Sequence, residues 1–246
     1  MDRLIYTAMT GAKHAFLQQA GVANNLSNAS TIGFRAMEHK FRSVPIQGEG
    51  APTRAFVVDA SVANVFDQGP LMATGRPLDV AVSGAGWIAV ETPDGGEAYT
   101  RAGNLHISAN GQLQTASGLN VLSDGGPIAI PPDNSVTIFP DGTVSAIPLY
   151  GTPNNVNDVG RIKLVNPPEE ELVRSDDTLF RLRDGGAATR DEEVKLASET
   201  LEGSNVNPAE AMVNMISVAR QFEMQIKMLQ MADANASKAT QILSMT

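Results

Sequence analysis

The chain has 246 residues, 42% of them hydrophobic, and its 18 basic and 27 acidic side chains leave a formal net charge of −9. That length buries a sizeable core, as one large β domain or two modest domains, and the acidic balance argues against general binding to nucleic-acid phosphates or anionic membranes. The absence of cysteine excludes disulfides, thiolate metal sites and cysteine nucleophiles together.

The charge is unevenly placed. Residues 1–42 carry five basic and two acidic residues, 43–200 carry ten and 21, and 201–246 carry three and four, so the acid belongs to the middle. His14, His39 and His106 have no i+4 partner and no nearby His-x-x-Glu pattern, which makes them surface or helix-face residues rather than metal ligands. The start, MDRLIYTAMTGAKHAFLQQA, lacks a cationic region followed by a continuous apolar run, and no window approaches the roughly 18 apolar residues of a spanning helix. The expectation is a chain that is cytosolic, or exported by a route that reads no cleavable signal.

Along the first 26 residues, Ile5, Ala8, Ala12, Ala15, Gln19, Val22 and Leu26 follow one another at steps of 3 and 4, a heptad seam with one polar member. Three alanines in the seam let a partner helix approach closely. The helix is predicted to end in ANNLSNASTIGF, residues 23–34, where Asn24, Asn25, Asn28 and Ser30 compete for backbone hydrogen bonds and Gly33 takes a left-handed conformation ahead of Phe34.

The middle reads as strands. Short runs such as LDVAV, WIAV, LHIS, SVTIF, RIKLV and LFRLR are separated by PDGG, SANG, TASG, SDGG, PDGT and RDGG, the turn chemistry of short antiparallel strands in a meander or barrel. Residues 151–160, GTPNNVNDVG, are predicted to be a loop, and Glu169–Glu171 after Pro167-Pro168 a solvated turn.

Helix returns at NPAE, residues 207–210, with Asn207 as cap, Pro208 in the first turn and Glu210 three after the cap. Met212, Met215, Ala219, Phe222, Ile226, Leu229, Asp233, Ala236, Thr240 and Leu243 then repeat the 3-4 spacing. The polar Asp233 suits a role in register. Six of the ten methionines, at 212, 215, 224, 228, 231 and 245, lie in this segment, and such side chains suit packing against non-identical neighbours. The predicted fold class is therefore α+β. N- and C-terminal heptad helices, within residues 1–42 and 201–246, pair as a coiled-coil-like layer, and 43–200 form an inserted all-β domain of short antiparallel strands. Pairing the ends covers one face of each helix and leaves the methionines at 224, 228 and 231 on another, which points to a subunit of an assembly.

Three stretches carry a family resemblance. ANNLSNASTIGF resembles the N-terminal signature of the bacterial flagellar axial proteins of the rod and hook. TGRPLDVAVSGAGWIAVET with YTRAGNLHISANGQLQTASGLNVL is similar to that family's central block, and LEGSNVNPAEAMVNMISVARQFEMQIKMLQMAD to its C-terminal block. The likeness covers nearly the whole chain, and MDRLIYTAM with the modest length most resembles the proximal-rod branch, the distal rod protein being the alternative. The resemblance implies a structural subunit exported unfolded by the flagellar type III apparatus without a cleaved signal, polymerising into the periplasmic rod with its terminal helices inside and its β domain outside. It implies as partners further copies of the chain, proximal and distal rod subunits, and base-ring or bushing-ring proteins, with no cofactor, no nucleic acid and no membrane insertion. Asn24, Asn25, Asn28, Gly33 and Phe34 would redirect the chain out of the inner layer, and Leu201, Asn205 and Asn207 would lead it back.

Two rival readings are weaker. Gly84-Ala85-Gly86 fails the dinucleotide pattern because Ala89 stands where it needs glycine, Ser83 lacks the glycines of a nucleophile elbow, and the neighbours Asp176 and Asp177 point to different faces of a strand, so no enzyme is expected. A non-flagellar coiled-coil adaptor with a β recognition domain remains the other alternative.

Overall fold

A computed structural model describes residues 4–45, 55–148, 157–175 and 177–244. The chain divides into two compact units, one formed by residues 1–29, 36–65 and 206–246 and the other by 30–35 and 66–205. Residues 36–65 thus go with the terminal helices, whereas the sequence placed everything from 43 onward in the β domain. Residues 30–35 and 201–205, expected to belong with the helices, go with the β unit.

In the first unit, helix α1 (Leu4–Ser27) packs along helix α2 (Pro208–Ser244). The 37 residues of α2 span about 55 Å at 1.5 Å per residue. Its start is capped as predicted: Asn207 Oδ1 accepts the backbone N–H groups of Ala209 (3.1 Å) and Glu210 (3.4 Å), two donors that have no partner within the helix. Helix α1 ends where asparagine begins to compete for the backbone. The Asn28 N–H is shared between the carbonyls of Asn24 and Asn25, each at 3.1 Å, and the Asn28 side-chain amide donates to the Asn24 carbonyl at 2.9 Å.

Strands β1 (Met37–Pro45) and β2 (Ala55–Asn64) form an antiparallel pair with a register shift at Lys40/Phe41. Asn25 ties α1 to this pair, its Nδ2 donating to the Met37 carbonyl (2.8 Å) and its Oδ1 accepting the Met37 N–H (2.9 Å). His14 on α1 and His39 on β1 flank the Phe41 ring, at 5.6 and 6.1 Å between centroids.

In the second unit every pairing among the named strands is antiparallel. The largest sheet has nine strands. Seven run in the order Leu172–Arg174, Phe180–Leu182, Glu97–Thr100, Trp87–Glu91, Asn120–Ser123, Leu113–Thr115 and Leu105–Ile107, with Gly126–Pro127 beside 120–123 and Leu164–Val165 beside 87–91. A three-stranded sheet holds Asn134–Ile138, Thr143–Pro148 and Asn157–Arg161, and two pairs join Lys195–Ser198 to Val80–Ser83 and Thr200–Glu202 to Leu71–Ala73. The predicted turns lie between these strands. Gly111 (φ 76°) and Gly142 (φ 87°) supply the left-handed residue that closes 105–107 onto 113–115 and 134–138 onto 143–148.

One predicted loop is corrected. Residues 157–160 are part of the strand Asn157–Arg161, paired with 143–148 across a register shift, while 151–156 lie outside the described residues. Asn-rich composition argued for a loop, but the neighbouring strand supplied partners for its backbone groups.

Alternation along Trp87–Glu91 decides where the core sits. Ile88 and Val90 enter a cluster with Val80, Val82, Leu105, Leu113 and Val121, and Trp87 and Ala89, on the opposite face, enter a second with Tyr99, Leu172 and Phe180. The central sheet is therefore covered on both faces around this strand, which explains why WIAV is apolar throughout instead of alternating.

Candidate functional site

The helical unit presents two kinds of face. On α1 the predicted seam turns inward for most of its length: Ala8, Ala12 and Ala15 are buried, Gln19, Val22 and Leu26 are half-buried, and Ile5 is exposed. Small residues here permit close approach. A methyl group on Gly11 would come within 3.0 Å of the Gln225 side chain.

On α2 the packed face differs from the predicted seam by about one position in part of its length. Ala211 and Val218 are buried, and Met215, Ala219, Phe222, Gln225, Ile226, Leu229, Ala232 and Ala236 are half-buried. Met212 and Asp233 are exposed, and the side chain of Leu243 lies outside the described residues. Adjacent apolar residues compete for the packed face there: Ala211 and Val218 take it, the larger Met212 turns out, and the Asp233 carboxylate keeps its hydration.

The faces turned away from this contact are apolar too. Tyr6, Met9 and Phe16 are exposed on α1, and Met212, Val213, Ile216, Met224, Met228 and Met231 on α2. At 100° per residue, Met224, Met228 and Met231 lie together roughly 130° around α2 from the packed face. A monomer gains nothing from such side chains in water, and contiguous exposed apolar surface marks an interaction site.

The second candidate is a buried charged junction inside the β unit, built where residues 30–35 meet residues 200–205. Gly33 (φ 69°) donates its N–H to the Glu202 carbonyl at 2.8 Å, and a Cβ there would stand 2.3 Å from the Arg101 carbonyl carbon, so both conformation and space require glycine. Phe34 is buried beneath the Arg174 guanidinium, 4.4 Å from its ring centroid, and Arg174 Nη1 donates to the Arg35 carbonyl at 2.7 Å. Burial pulls the Arg174 pKa below its ordinary value.

Glu202 is the centre of the junction and is 0% exposed. Its Oε1 accepts the Gly69 N–H at 2.9 Å, its Oε2 accepts from Arg101 Nη1 at 3.0 Å, and Arg35 Nη1 lies 2.6 Å from Oε1 in a charge contact without hydrogen-bond alignment. Arg101 also donates to the Gly84 carbonyl at 2.8 Å. Both guanidinium groups lie over the Trp87 ring, Arg101 at 5.2 Å and Arg35 at 5.9 Å, and Trp87 packs on Phe180 at 4.6 Å. Burial lowers the Arg101 pKa, the Glu202 carboxylate opposes that shift and the neighbouring Arg35 charge adds to it. Two cations against one anion is an arrangement for holding chain segments together.

The other motif residues fall around this junction or at the helix ends. Leu201 is buried, the Asn205 N–H donates to the Phe34 carbonyl at 3.3 Å and its side chain to the Asp67 carbonyl at 3.1 Å, and Asn207 caps α2. Sequence reasoning missed Arg35, Arg101, Glu202 and Trp87. The available signal was slight: Arg35 directly follows Gly33-Phe34, and Glu202 is the one charge in TLEGSN.

Two family descriptions match the chain: "Flagellar basal body rod FlgEFG protein C-terminal" over residues 197–242 and "Flagellar hook protein FlgE/F/G D1 domain" over 81–146. Flagellar basal-body rod protein FlgF of Salmonella typhimurium is 46% identical and that of Escherichia coli 45% identical, each over all of this chain and all of the relative. This chain belongs to the FlgF family of flagellar basal-body rod proteins. The rod protein FlgG of Agrobacterium fabrum is 30% identical over 96% of this chain and 97% of its own. With the FlgF family the chain is a structural protein of the basal body; Glu202 and most of α2 fall within residues 197–242, and Trp87 and Arg101 within 81–146.

Proposed function

We propose that the chain polymerises through its paired terminal helices, in a coiled-coil-like inner layer, as a proximal subunit of the flagellar rod. The observation that carries this reading is the second apolar face on each helix, Tyr6, Met9 and Phe16 on α1 and the Met224, Met228, Met231 row on α2, left over after the helices have packed on one another. Fully burying each large apolar side chain contributes about 1.5–3 kcal/mol, so several such contacts per subunit suffice to drive association. Residues of the seams, from Ile5 to Leu26 and from Met212 to Leu243, then divide between contacts within a subunit and contacts to its neighbours. The β unit faces outward, and the asparagines and Gly33-Phe34 direct the chain between layers.

The partners in this reading are further copies of the chain, neighbouring proximal and distal rod subunits, and base-ring or bushing-ring proteins. The chain reaches the periplasmic rod through the flagellar export apparatus, and its role there is structural rather than catalytic. The higher identity to FlgF relatives than to the FlgG of Agrobacterium fabrum supports the proximal branch. Electron microscopy of basal bodies tests it. A strain deleted for the gene and complemented with a copy lacking residues 208–246 is expected to stop before a complete rod, and complete rods in that strain would overturn the reading.

A further inference from the structure

We propose that Met224, Met228 and Met231 form a peroxide-sensitive modification site that controls whether the subunit associates; this rests on assembly through the outward helix face. The chain has no cysteine, so all its sulfur is methionine thioether. These three methionines are 58, 41 and 62% exposed, and Met9, Met72 and Met212 are exposed as well but singly, whereas Met37 and Met215 are half-buried. Their spacing of four and then three residues sets the three thioethers on one face of α2. A reagent meeting the free subunit from solvent thus meets three sulfur atoms of one surface.

The chemistry is a two-electron oxidation by a peroxide. The thioether sulfur attacks one peroxide oxygen, the O–O bond breaks, and an S–O bond forms. For hydrogen peroxide the remaining oxygen leaves as hydroxide and the proton on the transferred oxygen is lost, giving sulfoxide and water. Each methionine takes up one oxygen atom, and a flexible apolar side chain becomes a polar one. Oxidising the row replaces an apolar stripe with three strong acceptors, which lose hydration if a neighbouring helix covers them. Once covered by a neighbour in the polymer, the same sulfur atoms are shielded. The site therefore separates damaged subunits from assembled ones, and methionine sulfoxide reductases reverse the mark.

The test has two readouts. Full-length subunit is exposed to hydrogen peroxide and its peptides are mapped by mass spectrometry. Oxygen uptake is expected at Met224, Met228 and Met231 ahead of Met37 and Met215, and oxidation of all five at one rate would overturn the site. Met224→Gln, Met228→Gln and Met231→Gln are then combined to imitate the sulfoxides in the deletion strain. Glutamine is a good helix former, so the variant folds, as circular dichroism will verify. Loss of rods is expected from this triple variant and retention from Met72→Gln, whose exposed side chain lies in the β unit. Normal rods from the triple variant, with none from the copy lacking 208–246, would sink the inference and spare the assembly reading. Normal rods from that truncated copy would sink the assembly reading, and the control of association with it.

Discussion

Glu202 holds three groups from three separate places in the chain. Gly69 and Arg101 hydrogen-bond to it, Arg35 lies in charge contact, and the carboxylate has no access to water. Removing the charge leaves two guanidinium groups buried on the Trp87 ring with no counter-ion, so the loss is larger than a surface ion pair would give. We expect Glu202→Gln to destabilise the β unit by about 3–5 kcal/mol, read as a fall in the urea midpoint. An unchanged midpoint would show that Trp87 and solvent satisfy the arginines without the carboxylate. Nothing in the flanking residues announced this role, because a glutamate between Leu201 and Gly203 has the same local pattern as any exposed strand residue.

The helices show what periodicity conveys and where it stops. A 3-4 spacing identified both helices, and Asn207 marked the start of α2 to the residue, since capping acts within one turn. The face of α2 that turns inward was not legible, because Ala211 and Met212, or Val218 and Ala219, are adjacent apolar residues and either set makes a heptad seam. Packing of α2 against α1 made the choice. Substituting the buried Ala12 by leucine places an isobutyl group in a contact built for a methyl group, and overpacking of this kind costs about 1–3 kcal/mol. Ala12→Leu is expected to lower the thermal midpoint of the helical circular dichroism signal. The exposed Ser237→Leu on α2 serves as control, and equal midpoints for the two variants would contradict the assigned face.

Across the whole chain, charge follows the division into units. Residues of the helical unit carry eight basic and seven acidic side chains, and those of the β unit ten and twenty, so packing of helices against helices meets little net repulsion. The β unit is also discontinuous, because residues 30–35 reach it from the end of α1 and return the chain to the helical unit. A fragment of residues 43–200 lacks Gly33, Phe34, Arg35 and Glu202, while one of 30–205 keeps them. The shorter fragment is expected to be less stable to urea by at least about 3 kcal/mol, the penalty for breaking a buried charge network. Equal stability would mean that the junction closes the unit without strengthening it.

Both helices, the short antiparallel strands of the middle and most turns were determined by the sequence alone, because each depends on residues within about one turn or one hairpin: the alanine heptads, the Asn-Pro cap and the glycines at 111 and 142. Identity was legible for a related reason, the motif stretches being contiguous. Tertiary structure alone decided which face of α2 packs, that residues 36–65 accompany the helices, that residues 157–161 pair as a strand, and that Arg35, Arg101 and Glu202 share one buried site. Glu202 lies 101 residues from Arg101 and 133 from Gly69 along the chain, and contacts at that separation leave no period, spacing or turn signal in the local sequence.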